Sequence, residues 1–335
     1  MIQRLYHLVT GCTDPFRNLA LEEQLLRGVE AGACILYLWQ NQRAVVIGRN
    51  QNPWSECRID LLEADGGRLA RRLSGGGAVY HDLGNLNFTF LTREDDYDVS
   101  RQLKVILHAL NALGIPAERS GRNDILAGGR KCSGSAFYRS GGRCCHHGTL
   151  LVDADRTAMS RYLTVDPAKL AAKGVTSVRA RVVNLKELQP ALAIPALTRQ
   201  LLASFQAVYG LPSQPLETGA DALTERTDFF SSWAWRFGSA PPFTAQARAR
   251  FDWGDLQLCF CVEQGAVSHT TLYSDGLEAD FLAALPAQLS GCRYTAGDLT
   301  ARLTAIPAEG TQRRILSDAA GLVGQLFHRE EISHV

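Results

Sequence analysis

The sequence predicts an α/β (α+β) protein, with a large domain that mixes strands and helices and a small C-terminal α/β domain. Short apolar runs typical of buried strands alternate with segments of helical periodicity along the 335 residues. A length of 335 residues favours two domains, at roughly 150 residues per domain. Two adjacent prolines at 241 and 242 interrupt regular structure. We therefore predict one domain over residues 1–243 and another over residues 250–335.

The predicted elements follow from local signals. Asp14 and Pro15 are a helix cap and a first helical residue, so a helix is expected over residues 16–27. The apolar runs 34–39 and 44–47 are separated by four polar residues and predict a hairpin. Further strands are expected at residues 86–91, 124–127, 131–138, 148–152, 256–262 and 266–272, and further helices at 99–113, 195–209, 278–289 and 311–327. Gly210 is expected to end the helix at 195–209.

Composition and charge exclude several classes of protein. The chain has 35 basic and 34 acidic residues and a net charge of +1, which argues against nucleic acid as the main partner. No apolar run approaches the ~20 residues of a membrane span, and no signal peptide is apparent, so we expect a cytoplasmic protein with no membrane partner. The nine cysteines form no metal-binding CxxC pair. We expect most of them to be reduced and buried.

The glycine-rich segment, residues 71–82, carries the strongest chemical signal. Three consecutive glycines, Gly75 to Gly77, allow a close backbone approach to a ligand, and successive N–H groups can bind an anion. Arg71 and Arg72 just upstream supply donors for phosphate or carboxylate. A plain turn is the alternative for the glycines alone. The spacing is neither a dinucleotide fingerprint nor a P-loop.

A second group of candidate residues spans 121–135. Lys131 lies in a predicted strand among small residues, which would let an anionic group come into contact with it. Asp124 is a candidate Mg²⁺ ligand, since Mg²⁺ usually takes one or two carboxylates together with substrate phosphates. A turn or capping role for Asp124 is equally compatible with the sequence.

Two further segments contain basic residues. His146 and His147 are adjacent in a predicted strand, so they point to opposite faces and cannot both bind one metal. At most one faces a pocket, and the alternative is one buried and one exposed histidine with no such role. Residues 169–181 alternate basic and small side chains around Gly174, which suits a loop that closes over an anion. A solvated basic loop is the alternative.

These motifs together resemble the biotin/lipoate protein ligase family, and specifically its lipoate ligase branch. The resemblance runs nearly end to end and is most specific over residues 71–85, with further matches at 52–54, 121–124, 130–135, 146–151 and 173–179. It implies a large mixed-sheet catalytic domain of the biotin/lipoate ligase type, flanked by helices, with a small accessory domain that includes residues 251–254.

The resemblance also implies which residues bind substrates. Lys131 is expected to contact both the α-phosphate of ATP and the lipoate carboxylate, as the catalytic residue. The other residues implied for ATP are Arg72, Gly77, Ala78, Val79 and Tyr80. Those implied for lipoate or its adenylate are Trp39, Ser74, Gly75, Gly76, His81, Asn85, Asn123, Ser133, Gly134, His147 and Gly148.

The implied reaction uses ATP and Mg²⁺ to convert lipoate to lipoyl-AMP and then transfers the lipoyl group to a carrier lysine. The implied acceptors are the lipoyl domains of 2-oxo acid dehydrogenase E2 subunits and the glycine-cleavage H protein. One alternative is an octanoyl or lipoyl transferase that acts without ATP through a thioester on Cys144, which stands three residues before His147. Another is a carrier or sensor that binds lipoate without catalysis.

Overall fold

The computed structural model describes residues 1–121, 123–164, 182–217, 223–237, 245–263 and 265–333, with side chains at all of these positions except 54, 55 and 328–333. The chain divides into two compact units. Unit 1 comprises Met1–Val46, Trp54–Arg71 and Val79–Arg236, and unit 2 comprises Ile47–Pro53, Arg72–Ala78 and Phe237–Val335. The predicted boundary signal at 240–243 lies outside the described residues.

The described elements are fourteen strands, twelve α-helices and one short 3-10 helix over Glu94–Asp96. The strands are β1 (Arg4–Val9), β2 (Ala33–Trp39), β3 (Ala44–Ile47), β4 (Arg68–Arg71), β5 (Val79–His81), β6 (Asn85–Arg93), β7 (Ala117–Ser120), β8 (Asp124–Ala127), β9 (Arg130–Ser140), β10 (Arg143–Leu151), β11 (Ser213–Pro215), β12 (Ala245–Phe251), β13 (Gly254–Glu263) and β14 (Ala266–Ser274). The helices are α1 (Pro15–Gly28), α2 (Pro53–Glu56), α3 (Ile59–Ala64), α4 (Val99–Ala112), α5 (Arg156–Tyr162), α6 (Leu185–Leu188), α7 (Ile194–Tyr209), α8 (Thr224–Ser231), α9 (Trp233–Phe237), α10 (Ala279–Leu289), α11 (Ala296–Thr304) and α12 (Gly310–Ser333). None of these helices is long and apolar enough to cross a bilayer.

An eight-stranded mixed sheet forms the centre of unit 1. Its strand order is β11-β1-β2-β6-β10-β9-β8-β7. β1 runs parallel to β11 and β2, and the remaining neighbours are antiparallel. A separate three-stranded sheet has the order β4-β3-β5. The predicted fold class, an α/β protein with a large mixed sheet, is confirmed.

Helices cover both faces of the eight-stranded sheet. α4 and α7 pack on one face over an apolar core that includes Leu36, Phe88 and Phe90. α1 packs on the other face, against β2, β6 and β10. Because both faces are covered, every residue of β2 is buried. The two faces are called the α4 face and the α1 face below.

The predicted helix signals are confirmed in the structure. The side chain of Asp14 accepts hydrogen bonds from the N–H groups of Phe16 and Arg17, so it caps α1, and Pro15 is the first helical residue. α7 ends where Gly210 adopts a left-handed conformation. α1 therefore starts at a fixed point above the sheet, which determines the residues that it presents to the α1 face.

The predicted hairpin between residues 34–39 and 44–47 is wrong. β2 pairs with β1 and β6 in the eight-stranded sheet, whereas β3 pairs with β5 in the small sheet. A continuous apolar strand such as β2 needs a neighbour on each edge and cover on each face, and a two-stranded hairpin provides neither.

Unit 2 contains an antiparallel meander, β12-β13-β14, packed against α10 and α12, and α11 packs against these two helices. Its core includes Leu256, Phe260, Leu282, Leu299 and Ile315. The predicted strands at 256–262 and 266–272 and the helices at 278–289 and 311–327 are confirmed. The sequence did not predict β12 or α11.

Candidate active site

The α1 face of the eight-stranded sheet collects polar side chains in adjacent rows. Trp39 of β2 pairs with Asn87 of β6, and Tyr37 pairs with Thr89. Thr89 also pairs with His147 of β10. Paired residues in antiparallel strands point to the same side of the sheet, so these five side chains share one face.

Helix α1 adds a buried carboxylate, Glu22, to the middle of this face. Its Oε1 accepts a hydrogen bond from Thr89 Oγ1 at 2.7 Å and lies 2.8 Å from His147 Nδ1. Thr89 Oγ1 in turn accepts a hydrogen bond from Trp39 Nε1 at 3.1 Å. All four residues are more than nine-tenths buried. They are called the Glu22 network. The resemblance implicates Trp39 and His147, and the network joins these two through Glu22 and Thr89, which the resemblance does not implicate.

A second hydrogen-bonded chain links α1 to His81. Tyr37 donates its hydroxyl to Asn18 Oδ1 at 3.1 Å, and Asn18 Nδ2 donates to Asn41 Oδ1 at 3.0 Å. Asn41 Nδ2 donates to His81 Nδ1 at 3.1 Å. Burial raises the pKa of Tyr37 well above its usual value, so the phenol remains a donor. His81 meets Trp39 edge to face at a centroid distance of 6.2 Å, which brings two implicated residues together.

Strand β9 contains a β-bulge next to Lys131. Ile125 of β8 pairs with Ser133, whereas Leu126 pairs with Lys131, so Cys132 is an extra residue. The bulge reverses the normal alternation between Lys131 and Ser133. Lys131 therefore lies on the α1 face, and Ser133 lies on the α4 face.

The side chain of Lys131 crosses Gly134 and ends at Asp124. Lys131 Nζ lies 2.6 Å from Asp124 Oδ1, and both side chains are about one-fifth exposed. A Cβ atom on Gly134 would lie 2.7 Å from Nζ, so a larger residue there would require the lysine side chain to shift. The backbone of Lys131 is also held, because its carbonyl accepts a hydrogen bond from the Val183 N–H at 2.9 Å. The ammonium group is thus presented on the α1 face.

Two asparagines on β6 have unused hydrogen-bonding capacity. Asn85 Nδ2 donates to Asn87 Oδ1 at 2.9 Å, and both residues are at most 1% exposed. Within the described part of the chain, Asn85 Oδ1 and Asn87 Nδ2 have no partner. A buried polar group without a partner costs about 1–3 kcal/mol, so such groups commonly contact a ligand or water. Asn85 was predicted as a site residue; Asn87 was not.

Other predicted residues lie away from the α1 face. Strand alternation places Ser133 and Gly148 on the α4 face. A Cβ on Gly148 would lie 2.5 Å from the Phe88 ring, so packing alone requires glycine there. Asn123 donates through Nδ2 to the carbonyl of Ser135 at 3.1 Å. Ligand contacts for Asn123, Ser133 and Gly148 stay predictions.

His146 and His147 point to opposite faces, as predicted, but the alternative in which one of them is exposed is wrong, since both are buried. His146 is fully buried on the α4 face, with Nδ1 2.9 Å from Gln102 Oε1 and Nε2 3.0 Å from Ser135 Oγ. Burial lowers its pKa to about 3, so the ring is neutral. The sheet has helices on both faces, so neither histidine reaches solvent.

Cys144 is remote from Lys131. It pairs with Arg139, which lies eight residues beyond Lys131 along β9. At about 3.3 Å per residue this separation is roughly 26 Å along the strand. Strand alternation also places Cys144 on the α4 face with His146, and burial raises the pKa of its thiol. All nine cysteines are free thiols and seven are buried, as expected.

Residues 72–78 of the glycine-rich segment belong to unit 2, and the side chain of Arg72 holds them in place. Arg72, only 6% exposed, donates to the carbonyls of Gly75 at 2.7 Å and Gly77 at 2.8 Å, and to Ser74 Oγ at 3.0 Å. Its guanidinium therefore fixes the conformation of the segment.

The three glycines of the segment have different local constraints. A Cβ on Gly75 would lie 2.1 Å from the carbonyl oxygen of Gly276, so close packing requires this glycine. Gly76 has a φ of 89°, which side chains rarely adopt. Among the described residues outside its two chain neighbours, no atom lies within 4 Å of a Cβ added at Gly77, so that position has open space.

Val79 and Tyr80, at the end of the glycine-rich segment, lie on β5 in unit 1. Tyr80 is buried and packs against Tyr162 at a ring-centroid distance of 5.6 Å. Burial raises the pKa of Tyr80 above its usual value. Arg71 donates to the backbone carbonyls of Trp235 and Arg236, so it anchors α9. The predicted anion-binding loop at 169–181 and the motif residue Arg122 lie outside the described residues.

Two family models match the chain. The lipoyl protein ligase A/B catalytic domain matches residues 14–206, and the bacterial lipoate protein ligase C-terminus matches residues 240–317. The first match alone covers more than half of the sequence. The chain belongs to the lipoyl protein ligase A/B family. As a member of this family it is a ligase enzyme of the lipoate–protein ligase type, as the sequence motifs predicted.

Solved structures of lipoyl protein ligase relatives share the fold. The P. falciparum protein LipL1, in complex with lipoate, has 30% identity and a TM-score of 0.84, over 96% of this chain and 99% of LipL1. A bi-partite lipoate protein ligase from Thermoplasma acidophilum, described with its E2 lipoyl domain, has 28% identity and a TM-score of 0.62, over 73% and 99%. A lipoate-protein ligase A bound with ATP has 28% identity and a TM-score of 0.61, over 71% and 99%.

Proposed function

We propose that this ligase activates lipoate with ATP to form lipoyl-AMP and then transfers the lipoyl group to a lysine of a carrier domain. The relatives bound to lipoate and to ATP support the two substrates. The observation that carries the proposal is Lys131, whose ammonium group lies on the α1 face, over a glycine, with a carboxylate as its partner. A cation in such a position can be transferred from its carboxylate to an anionic substrate.

In the first half-reaction a lipoate carboxylate oxygen attacks the α-phosphorus of ATP. The bond between that phosphorus and the oxygen bridging to the β-phosphate breaks, and pyrophosphate leaves with the electron pair. The attacking and attacked groups are both anionic, so their approach requires charge neutralisation. We propose that Lys131 supplies it by binding both the carboxylate and the α-phosphate. Arg72, Gly77, Ala78, Val79 and Tyr80 are the further residues proposed for ATP.

In the second half-reaction the neutral amine of the carrier lysine attacks the acyl carbon of lipoyl-AMP. An amide bond forms, the bond from the acyl carbon to the AMP oxygen breaks, and the amine proton passes to solvent. AMP departs as an anion, and Lys131 stabilises the charge that develops on it. Trp39, His81, Asn85 and His147 are proposed to surround the acyl substrate. The resemblance also implicates Ser74, Gly75, Gly76, Asn123, Ser133, Gly134 and Gly148, which remain proposed contacts.

Asp124 suits the role of a single protein ligand for Mg²⁺. It is a partly exposed carboxylate that already attracts a cation, the Lys131 ammonium. Mg²⁺ commonly takes one carboxylate together with substrate phosphates and water. When bound with ATP it would offset phosphate charge. In that state Asp124 would exchange its lysine partner for the metal, while Lys131 turns to the substrates.

The proposed acceptors are lipoyl domains of E2 subunits and the glycine-cleavage H protein, with no role for nucleic acid. The Thermoplasma ligase described with its E2 lipoyl domain supports the first of these. A thioester on Cys144 is not favoured, because that thiol is buried, lies roughly 26 Å along β9 from Lys131 and faces the opposite side of the sheet.

Lipoate-dependent exchange of labelled pyrophosphate into ATP tests the proposal. The ligase should show exchange that requires lipoate and Mg²⁺ and needs no carrier protein. A transferase or a non-catalytic lipoate carrier shows none. Absence of exchange from the folded wild-type protein, with both octanoate and lipoate supplied, would remove the adenylation proposal.

A further inference from the structure

Two consecutive buried glutamates on α1 have very different partners. Glu23 is 7% exposed and forms ion pairs with Arg27 and Arg226, each at 2.5 Å. Glu22 is 5% exposed, and its described partners are the hydroxyl of Thr89 and the imidazole of His147. Burying a carboxylate is costly unless it is paired or hydrogen-bonded. The arginines of Glu23 provide a structural reason for its burial, whereas Glu22 is held by two side chains of the α1 face.

The directions of the hydrogen bonds in the Glu22 network are determined by chemistry. The indole N–H of Trp39 can only donate, so Thr89 Oγ1 accepts from it and uses its own proton to bond Glu22 Oε1. Oε1 is therefore an acceptor, and His147 Nδ1, 2.8 Å away, is the donor. The carboxylate thus selects the tautomer of a neutral His147 in which Nδ1 carries the proton.

We propose that Glu22 is a positioning residue for the acyl substrate. It fixes the ring orientation and the tautomer of His147, and through Thr89 it fixes the indole of Trp39. The proposal rests on the proposed function, in which Trp39 and His147 surround the acyl group. Glu22 itself need not touch the substrate. Its removal would leave both side chains in place but with freedom to rotate, which weakens binding of the acyl substrate more than binding of ATP.

A matched pair of substitutions tests the role of Glu22. Glu22→Met keeps the length of the side chain but removes the acceptor, and it should raise the KM for lipoate about tenfold, with the KM for ATP changed less than twofold. Glu22→Gln keeps an acceptor oxygen and should restore most of the lipoate KM. Glu23→Met, the same change one residue later, should lower the Tm and leave the lipoate KM unchanged.

The tautomer gives a readout that loss of packing alone would not change. Imidazole ¹⁵N shifts of His147 should show the proton on Nδ1 in the neutral ring of the wild type and of Glu22→Gln. In Glu22→Met the proton should move to Nε2, the site preferred by free histidine. If Glu22→Met does not fold, Glu22→Asp, which withdraws the carboxylate by one methylene, takes its place.

The outcomes separate this inference from the proposed function. A wild-type protein without lipoate-dependent pyrophosphate exchange overturns the proposed function before any variant is made. An active wild type whose lipoate KM is unchanged in Glu22→Met overturns the positioning role alone. An equal rise in lipoate KM in Glu22→Met and Glu23→Met also overturns it, because the effect would then come from the packing of α1.

Discussion

Lys131 Nζ lies 2.6 Å from Asp124 Oδ1, and the two residues belong to neighbouring strands that are joined across a β-bulge. The bulge turns Lys131 to the α1 face, and Gly134 leaves space for its side chain. In the proposed reaction the same ammonium group must exchange this carboxylate for two substrate anions. In that proposal the ion pair is the resting arrangement of the lysine, before substrates bind.

Replacing Lys131 with alanine should reduce adenylation by roughly 10²–10³, the usual effect of removing one preorganised donor from such a site. The measurement is lipoate-dependent pyrophosphate exchange. Lys186→Ala is the control, since Lys186 forms an exposed ion pair with Asp153 and should retain full activity. A Lys131→Ala protein with more than a tenth of wild-type exchange would show that another group neutralises the charge.

Replacing Asp124 with asparagine should separate its two proposed roles. If Asp124 binds Mg²⁺, the variant should need a higher Mg²⁺ concentration for half-maximal exchange, because a neutral amide is a weaker ligand for a hard cation. The measurement is exchange activity across a Mg²⁺ titration at fixed ATP. An unchanged Mg²⁺ requirement would restrict Asp124 to its contact with Lys131.

Replacing Gly75 with alanine should destabilise unit 2. The new Cβ would lie 2.1 Å from the carbonyl oxygen of Gly276, and relief of such overpacking costs about 1–3 kcal/mol. The Cβ of Gly77→Ala meets no atom of the described residues within 4 Å, so this variant should have a near wild-type melting temperature. Thermal unfolding of the two variants makes the comparison. Equal melting temperatures would mean that Gly75 does not pack against Gly276 in solution.

Stability should fall with acidification through His146. Its pKa is about 3 in the folded protein and about 6.5 when unfolded, so the unfolded chain binds the extra proton between these values. The free energy of unfolding should therefore decrease as pH falls below about 6.5, with a contribution approaching ~1.4 kcal/mol per pH unit until the pH nears 3. Urea unfolding between pH 4 and pH 8 measures this. His146→Gln should have a shallower slope, and an identical slope would contradict the neutral buried ring.

Replacing Cys144 with serine should leave most lipoate ligation intact, because the proposed route forms no enzyme thioester. Incubation of wild-type protein with an octanoylated carrier in the absence of ATP, followed by intact mass measurement, should give no adduct. An octanoyl adduct that disappears in Cys144→Ser would instead establish transferase chemistry.

Local signals predicted much of the fold. Asp14, Pro15 and Gly210 act through the backbone of their own helix, so their effects could be predicted from a few neighbouring residues. The pairing of β2 could not be predicted from neighbouring residues, because it depends on β1 and β6, which are distant in sequence. Local signals are limited in the same way for His146 and His147. Strand alternation predicted that the two side chains point in opposite directions, but the helices that bury both faces of the sheet come from distant parts of the chain.

The sequence motifs provided the first candidate site residues, and the contacts seen in the structure added others. Strand alternation alone would place Lys131 on the same face of the sheet as Ser133. The bulge at Cys132 moves Lys131 to the other face, and no pattern in the sequence predicts that bulge. Glu22 was missed because a glutamate in a helix usually faces solvent. A weak signal was present: Asn18 stands four residues before Glu22, so two polar residues share a helix face with the apolar Leu25 and Leu26.

The Glu22 network also has a consequence for evolution. Substituting Glu22, Thr89 or His147 singly leaves a buried polar group without its partner, at a cost of about 1–3 kcal/mol. A lineage can avoid that cost by retaining the whole set or by exchanging its members together. In an alignment of relatives, the positions of Glu22, Thr89, His147 and Trp39 should therefore change together. They should do so although α1, β2, β6 and β10 lie far apart along the chain.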